Sequence, residues 1–318
     1  MKNKFKIKDI PSLFKETFKE WNDDDPFYLS AVVAYYTIFA LPGLLFLVIY
    51  IAGMVWQEGE VRTEVVSQIE AALGGESAKQ VEVIIDQAIG QPASIISMLV
   101  SIGSLLFGAT GVFFMLQKSL NQVWNVAEDP KRGILNMLKA RAIGLGLIVV
   151  IGFLLLVSLL LTTALNVLGK WILANLPNYL YYLFYVIDFT VSLGIITLVF
   201  AMIYKFLPDV IIGWRTLWVG SIVTALLFVI GKFALGFYFS LADPASAYGV
   251  AGSLVIMLLW VSYSCLLIFF GAEFTLIFAR RYGQKIRPAK HAFRVKIELV
   301  KDNEDVAQEE ANKPVEKR

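Results

Sequence analysis

Histidine and cysteine are almost absent from this sequence, which holds one of each, His291 and Cys265, in 318 residues. One cysteine leaves no intramolecular disulfide and gives no indication of redox compartment. A metal-dependent nuclease needs a cluster of histidine and carboxylate ligands, and one histidine in a basic tail cannot build it. The sequence also lacks the glycine-rich loop that holds the phosphates of ATP. We therefore expect no enzymatic activity, no metal or other cofactor, and no nucleic-acid partner.

Charged residues are scarce as well, at 17% of the chain, whereas 58% of the residues are hydrophobic and the mean hydropathy is +0.67. This composition predicts an integral membrane protein. A helix needs about 20 apolar residues to cross the hydrocarbon core. Six runs are long enough: Leu29–Trp56, Ile95–Leu116, Ala140–Leu168, Tyr179–Phe206, Leu217–Phe239 and Tyr248–Phe278. Because these runs are continuous rather than alternating in short segments, they predict an all-α, polytopic protein with six transmembrane helices.

Lysine and arginine are concentrated on one side of these six runs. They are frequent in the N-terminal segment, in the second and fourth connections and at the start of the tail. The first connection is acidic, the third has one lysine, and the fifth has neither lysine nor arginine. Because cytoplasmic loops hold the excess of these residues, we predict that both termini face the cytoplasm.

The segments outside the six runs divide the chain further. Residues 1–28 form an N-terminal segment with apolar residues at helical spacing, namely Ile10, Leu13, Phe14, Phe18 and Trp21. This segment predicts a helix that either lies on the anionic inner leaflet or packs under the bundle. Within the membrane domain, residues 29–280, we expect residues 57–93 to form an extracytoplasmic helical hairpin that caps the bundle. Residues 281–318 predict a cytoplasmic tail that is largely disordered, because it is charged and lacks aromatic residues from Lys296 onward.

Two charged side chains are expected in the outer half of the bilayer, Asp188 in the fourth run and Lys232 in the fifth. A charge beside lipid is costly and therefore indicates a functional site. An ion pair between the two residues would offset that cost. The alternatives are a pathway for a substrate or an ion, and a Lys232 side chain that extends to the outer interface.

Glu273 is the third charge inside the apolar runs, and it lies about two helical turns before Arg280 in the inner half of the bilayer. Its role is either structural or mechanistic. The expected partners are Tyr35 and the polar residues of Gln117–Asn125.

Glycine and proline residues in the runs predict how the helices pack. Close crossings or local breaks are expected at Gly103, Gly108 and Gly111 in the second run and at Gly249, Gly252 and Gly271 in the sixth. Pro42 followed by Gly43 predicts a bend or an opening of the first helix, either as a plain kink or as part of a transport site.

Four segments of the sequence, in the same order along the chain, resemble a known family. They are AYYTIFALPGLL (Ala34–Leu45), LQKSLNQVWN (Leu116–Asn125), ALLFVIGK (Ala225–Lys232) and AYGVAGSLVIMLLWVSYSCLLIFFGAEFT (Ala247–Thr275). The chain resembles the YihY/BrkB family, also labelled "ribonuclease BN-like", over about residues 29–281. The resemblance implies a multi-pass protein of the bacterial inner membrane, with movement of lipids or lipid-linked material among the roles proposed for the family.

The resemblance also implies which residues matter. By position it highlights Tyr35, Asn121, Trp124, Lys232, Tyr248, Gly249, Trp260, Gly271 and Glu273. The chain departs from the family at Val229, where many members have an acidic residue one turn before the lysine. The corresponding charge pair with Lys232 is therefore absent, and Asp188 is a candidate substitute.

Three functions remain open at this point. The leading hypothesis is a transporter of a lipid or another amphiphile, with membrane lipids as partners. The second is an ion- or proton-coupled carrier of a small solute in which Glu273 titrates. The third is a non-transporting membrane scaffold in envelope maintenance, which would bind an envelope protein or a second copy of the chain.

Overall fold

The computed structural model describes residues 6–53, 95–129, 178–242, 252–282 and 286–295, together with positions 63, 66, 67, 78, 82, 146 and 150. A 3-10 turn at Ile7–Asp9 precedes the first helix. The helices are α1 (Ile10–Asp23), α2 (Pro26–Gly53), α3 (Ile95–Val123), α4 (Asn178–Phe206), α5 (Trp214–Ala242) and α6 (Gly252–Arg281). The strands are β1 (Val126–Glu128), β2 (Val210–Ile211), β3 (Arg287–Pro288) and β4 (Ala292–Arg294).

Within the described residues, three helical segments are long and apolar enough to cross a membrane: Val186–Phe206 of α4, all of α5, and Leu254–Arg281 of α6. Pro26–Ala40 of α2 is a shorter apolar segment. Helices α2 to α6 coincide with five of the six predicted runs to within a few residues at most ends. The third run, Ala140–Leu168, and the predicted cap at residues 57–93 lie outside the described residues, apart from isolated positions.

The predicted glycine contacts occur between α2 and α3. A Cβ atom added at Gly108 would lie 2.7 Å from the Cβ of Ala40, and one at Gly111 would lie 2.8 Å from Cε1 of Tyr36. Gly103 has open space where its Cβ would be. Small residues therefore permit the close approach of α2 and α3 at two of the three predicted positions.

Helix α2 runs without interruption through Pro42 and Gly43. The prediction that these residues open the helix is therefore wrong. A proline removes one backbone hydrogen bond from a helix, and the helix continues on both sides of Pro42 despite that loss.

Helix α1 packs against the last third of α6, which confirms the prediction of a helix packed under the bundle for one face of α1. Leu13 is fully buried with Phe274, Ile277 and Phe278, and the rings of Phe14 and Phe274 lie 5.4 Å apart. The opposite face remains open, since Phe18 is 59% exposed.

Polar contacts hold the same two helices together at their ends. Arg280 donates to Glu20 at 2.5 Å, and Arg281 donates to Glu16. The hydroxyl of Tyr282 donates to Asp9 at 2.7 Å. Charge-assisted bonds therefore flank the apolar contact between α1 and α6.

Residues 286–295 form a hairpin-like segment whose strands pair with two different interhelical connections. Strand β3 pairs with β2, which follows α4, and strand β4 pairs with β1, which follows α3. These ten residues are therefore ordered and precede Lys296, from which the disorder of the tail is predicted; their hydrogen-bond partners come from distant parts of the chain. Residues 296–318 lie outside the described residues. We call the end of the bundle that carries α1 and the four strands the basal end.

Candidate functional site

A buried carboxylate, Asp209, organises the basal end. Its Oδ2 atom accepts hydrogen bonds from Nδ2 of Asn121 at 2.8 Å and from Nε2 of Gln117 at 3.1 Å. Its Oδ1 atom lies 2.7 Å from Nε2 of His291, the single histidine of the chain. We call Gln117, Asn121, Asp209 and His291 the aspartate cluster.

The main chain of Asp209 extends the same network. Its N–H donates to Oδ1 of Asn121 at 2.8 Å, and its carbonyl accepts from the N–H of Ala289 at 2.9 Å. Asp209 thus joins α3, the α4–α5 connection and the hairpin segment. Buried polar groups that are satisfied in this way fix one arrangement of the chain, so we assign the aspartate cluster a structural role.

Sequence reasoning selected Asn121 but missed Asp209 and the role of His291. Asp209 lies just beyond the fourth apolar run, outside the spans in which charges were sought. The available signal was a carboxylate directly after Pro208 in a short connection, which is a common turn composition, and this signal does not predict burial.

A second set of hydrogen bonds reaches the backbone of α6 itself. The indole Nε1 of Trp124 donates to the carbonyl of Ala272 at 3.0 Å, and the hydroxyl of Tyr204 donates to the carbonyl of Ile268 at 2.7 Å. The hydroxyl oxygen of Tyr204 also lies 3.0 Å from Oγ1 of Thr224. Gly271 permits this approach, because a Cβ atom there would lie 2.5 Å from the Tyr204 oxygen. Gly271 therefore lies at a close crossing of α6 with α4 and α5.

Glu273 directly follows Ala272, and its side chain, unlike that of Asp209, has no hydrogen bond to the described residues. It is 1% exposed, and neither Oε atom has a hydrogen-bond partner among the described residues. It lies about 12 Å from the end of α6, since Arg281 comes eight positions later in the helix. The predicted partners do not reach it: Tyr35 is 58% exposed and packs against Phe39.

The charged groups that face Glu273 come from the far end of α1 and from α6. They are the carboxylates of Glu20 and Asp24 and the guanidinium of Arg280. We call Glu20, Asp24 and Glu273 the carboxylate cluster. Burial, helped by Glu20 and Asp23, raises the pKa of Asp24 from 3.8 to about 6, although Arg280 opposes the shift.

Local backbone geometry brings α1 to this position. Asp25 adopts a φ of 52°, in the left-handed region that Asp and Asn tolerate better than most other residues with a side chain. Pro26 then begins α2, where its missing N–H costs no helical hydrogen bond. The sharp turn between the helices leaves Asp24 beside α6.

Asp188 and Lys232 do not pair with each other in the structure. The Oδ1 atom of Asp188 is buried without a hydrogen-bond partner among the described residues. Lys232 is half-buried on α5, between the exposed side chains of Ile230 and Phe233. The alternative of an ion pair across the two helices is therefore wrong for this structure.

Comparison with known proteins identifies the family. A family model described as virulence factor BrkB matches residues 17–295, which is most of the chain. The chain belongs to this family. It is 27% identical over 173 residues to a UPF0761 membrane protein of Delftia acidovorans and 28% identical over 179 residues to one of Tolumonas auensis. These alignments cover 54% and 56% of this chain, and 39% and 54% of the two relatives, so the chain spans about half or less of their length. No solved structure matches the chain.

The structure places the residues highlighted by the BrkB resemblance in two groups. Asn121, Trp124, Gly271 and Glu273 lie at or near the contacts of the basal end with α6. Tyr35, Lys232 and Trp260 lie elsewhere on the helices; the Trp260 ring is 6.1 Å from that of Phe228. Tyr248 and Gly249 lie outside the described residues, and Gly252 is buried at the start of α6.

Proposed function

We propose that this integral membrane protein transports a lipid or another amphiphile. In this proposal it lies in the bacterial inner membrane with six transmembrane helices, and the basal end faces the cytoplasm. It is not an enzyme, and its primary partners are membrane lipids.

The observation that carries the proposal is a cleft on the open face of α1. The cleft has a volume of about 610 Å³, and its walls include Lys15, Phe18 and Lys19 together with two carboxylates, Asp23 and Glu16, of which Glu16 is already bonded to Arg281. The two lysines and Phe18 are exposed, whereas Leu13 and Thr17 on the other face are buried. Two cations beside an aromatic ring suit the phosphate and the upper acyl chain of a phospholipid, and α6 provides a membrane-spanning surface next to them.

Reversing the two cations is the test of this function. We expect the variant K15E/K19E to move a fluorescent anionic phospholipid between the leaflets of proteoliposomes about tenfold or more slowly than the unaltered chain, because each lysine near an anionic surface contributes about 1 kcal/mol. Lys290→Glu, a reversal at an exposed residue of the hairpin segment, serves as the control and should leave the rate unchanged. A rate for the unaltered chain equal to that of protein-free vesicles would reject lipid transport, and a stable envelope partner recovered by crosslinking would then favour a scaffold.

A second candidate function, a proton-coupled carrier of a small solute, is supported by the unpartnered carboxylate of Glu273. Replacing Glu273 with Gln removes the titratable group and keeps the shape of the neutral acid. We expect this variant to lose solute flux driven by a pH gradient while it remains folded. Flux that still follows the pH gradient in this variant would exclude the role of Glu273.

A further inference from the structure

We propose that Glu20, Asp24 and Glu273 form a proton-binding site that holds α1 against α6 as long as the site carries at least one proton. This inference deepens the second candidate function by assigning the α1 carboxylates to the same site. The strength of the contact between α1 and α6 then depends on the protonation of the site. This dependence exists whether or not the protein carries a solute.

The buried carboxyl group of Glu273 has no compensating partner among the described residues. An ionised carboxylate buried without a partner is so unfavourable that the group takes up a proton instead. Glu273 is 1% exposed, both of its oxygen atoms are unpartnered among the described residues, and its neighbours are two further carboxylates. The neutral acid is therefore the form that fits the docked arrangement of α1 and α6.

Negative charge predominates around the site. Arg280 is already bonded to Glu20 at 2.5 Å, so one guanidinium faces three carboxylates. Helix α2 also packs on α6, and it has no charged residue. The charged residues of the other two neighbouring helices do not interact electrostatically with Glu273; they are Lys118 of α3 and Arg215 and Lys232 of α5. Asp23 and Asp25 add further negative charge beside Asp24. When Glu273 loses its proton, like charges face each other across the contact between α1 and α6.

The surroundings of the three carboxylates favour a proton over a metal ion as their ligand. Among the described residues, no group of three or more histidine, cysteine, aspartate or glutamate side chains is arranged to hold a metal ion. The indole Nε1 of Trp21 is also buried without a partner in that part of the chain, on the helix that carries Glu20. A proton is the ligand that needs neither a coordination sphere nor a cavity.

The direction of the pH dependence follows from proton counting. The docked state binds more protons than the undocked state, so docking weakens as the pH rises. For Asp24, whose pKa is about 6 in the docked state and 3.8 ordinarily, this contribution is complete below pH 3.8 and is lost as the pH rises through 6.

The test measures the position of α1 without any transport assay. The full chain is placed in nanodiscs with its natural cysteine removed by Cys265→Ala and with two new cysteines, K8C and K290C, at exposed positions. We call this variant the background. Spin labels are attached to the two cysteines, and the distance between the labels is measured from pH 5 to pH 9.5. We expect a single short distance at low pH and a second, longer one at high pH, with a ratio that changes by up to about tenfold per pH unit for each proton released.

Two variants decide the assignment. Glu273→Gln should keep the short distance to a higher pH than the background does, because its amide is always neutral and only the contribution of Asp24 is then lost. Asp188→Asn, a matched change in another membrane-spanning helix, should respond to pH as the background does. A distance that is independent of pH in the background, or a Glu273→Gln variant that responds like the background, would overturn the proposal.

Discussion

Replacing Asp209 with alanine should release the hairpin segment and lower the free energy of unfolding by about 3 kcal/mol or more. The substitution removes three hydrogen bonds to a charged acceptor, each of which contributes about 1.5 to 3 kcal/mol. It also leaves Nδ2 of the buried Asn121 side chain without its acceptor, while Oδ1 keeps the backbone N–H of residue 209. The effect is large because one side chain connects three segments that are distant in sequence.

Two measurements check this prediction. The midpoint of thermal unfolding in detergent, followed by tryptophan fluorescence, should fall, and limited proteolysis should cleave within residues 286–295 at protease concentrations that leave the unaltered chain intact. His291→Gln is the graded control: its imidazole is 43% exposed, so its loss should cost only about 1 kcal/mol. Equal protection of the hairpin in Asp209→Ala and the unaltered chain would contradict the assignment of Asp209 as the organising residue.

Replacing Gly271 with alanine should separate α4 and α5 from α6. The added Cβ atom would lie 2.5 Å from the hydroxyl oxygen of Tyr204 and 2.8 Å from the Cβ of Thr224. Neither neighbour can easily withdraw, because Tyr204 is bonded to the carbonyl of Ile268 and Thr224 to that of Gly220. Overpacking of this kind costs about 1 to 3 kcal/mol, and occasionally more.

The control is another glycine in a membrane-spanning helix. Gly236 of α5 has open space where a Cβ would be, so Gly236→Ala should be neutral or slightly stabilising, because alanine favours the helix. Adding Thr224→Ala to Gly271→Ala should recover part of the lost stability, since it removes the nearest obstacle. Unfolding midpoints that are the same for Gly271→Ala and Gly236→Ala would show that the α5–α6 contact can relax, contrary to the prediction.

The helices were predictable because a long apolar run has few alternatives in lipid. A backbone without water must satisfy its own hydrogen bonds, so α2, α4, α5 and α6 begin and end near the limits of their apolar runs. The glycine contacts of α2 with α3 and of Gly271 with its neighbours were predictable for a related reason, namely that only small residues permit close helix crossings.

The charged residues were located in the sequence but their partners were not. Asp188 and Lys232 lie at comparable depths on the predicted topology, yet pairing also depends on the rotation of each helix about its axis, which packing decides. The expected partners of Glu273 were Tyr35 and the polar residues of the Gln117–Asn125 segment. These side chains can form hydrogen bonds, but the fold does not bring them to the carboxyl group of Glu273. The hairpin at residues 286–295 was missed because its strands are too short to show a period, and their partners lie in distant connections.

The amino-acid sequence by itself determined that this chain is a helical membrane protein of the BrkB family, and it singled out Glu273 as a charge in an apolar helix. Only the tertiary structure decided what surrounds that charge. The acidic end of α1 and the carboxylate on α6 are about 250 residues apart in the chain and are brought together by the apolar contacts of Leu13 and Phe14. Burial and electrostatic repulsion depend on distances in space, and the order of residues along the chain does not contain those distances.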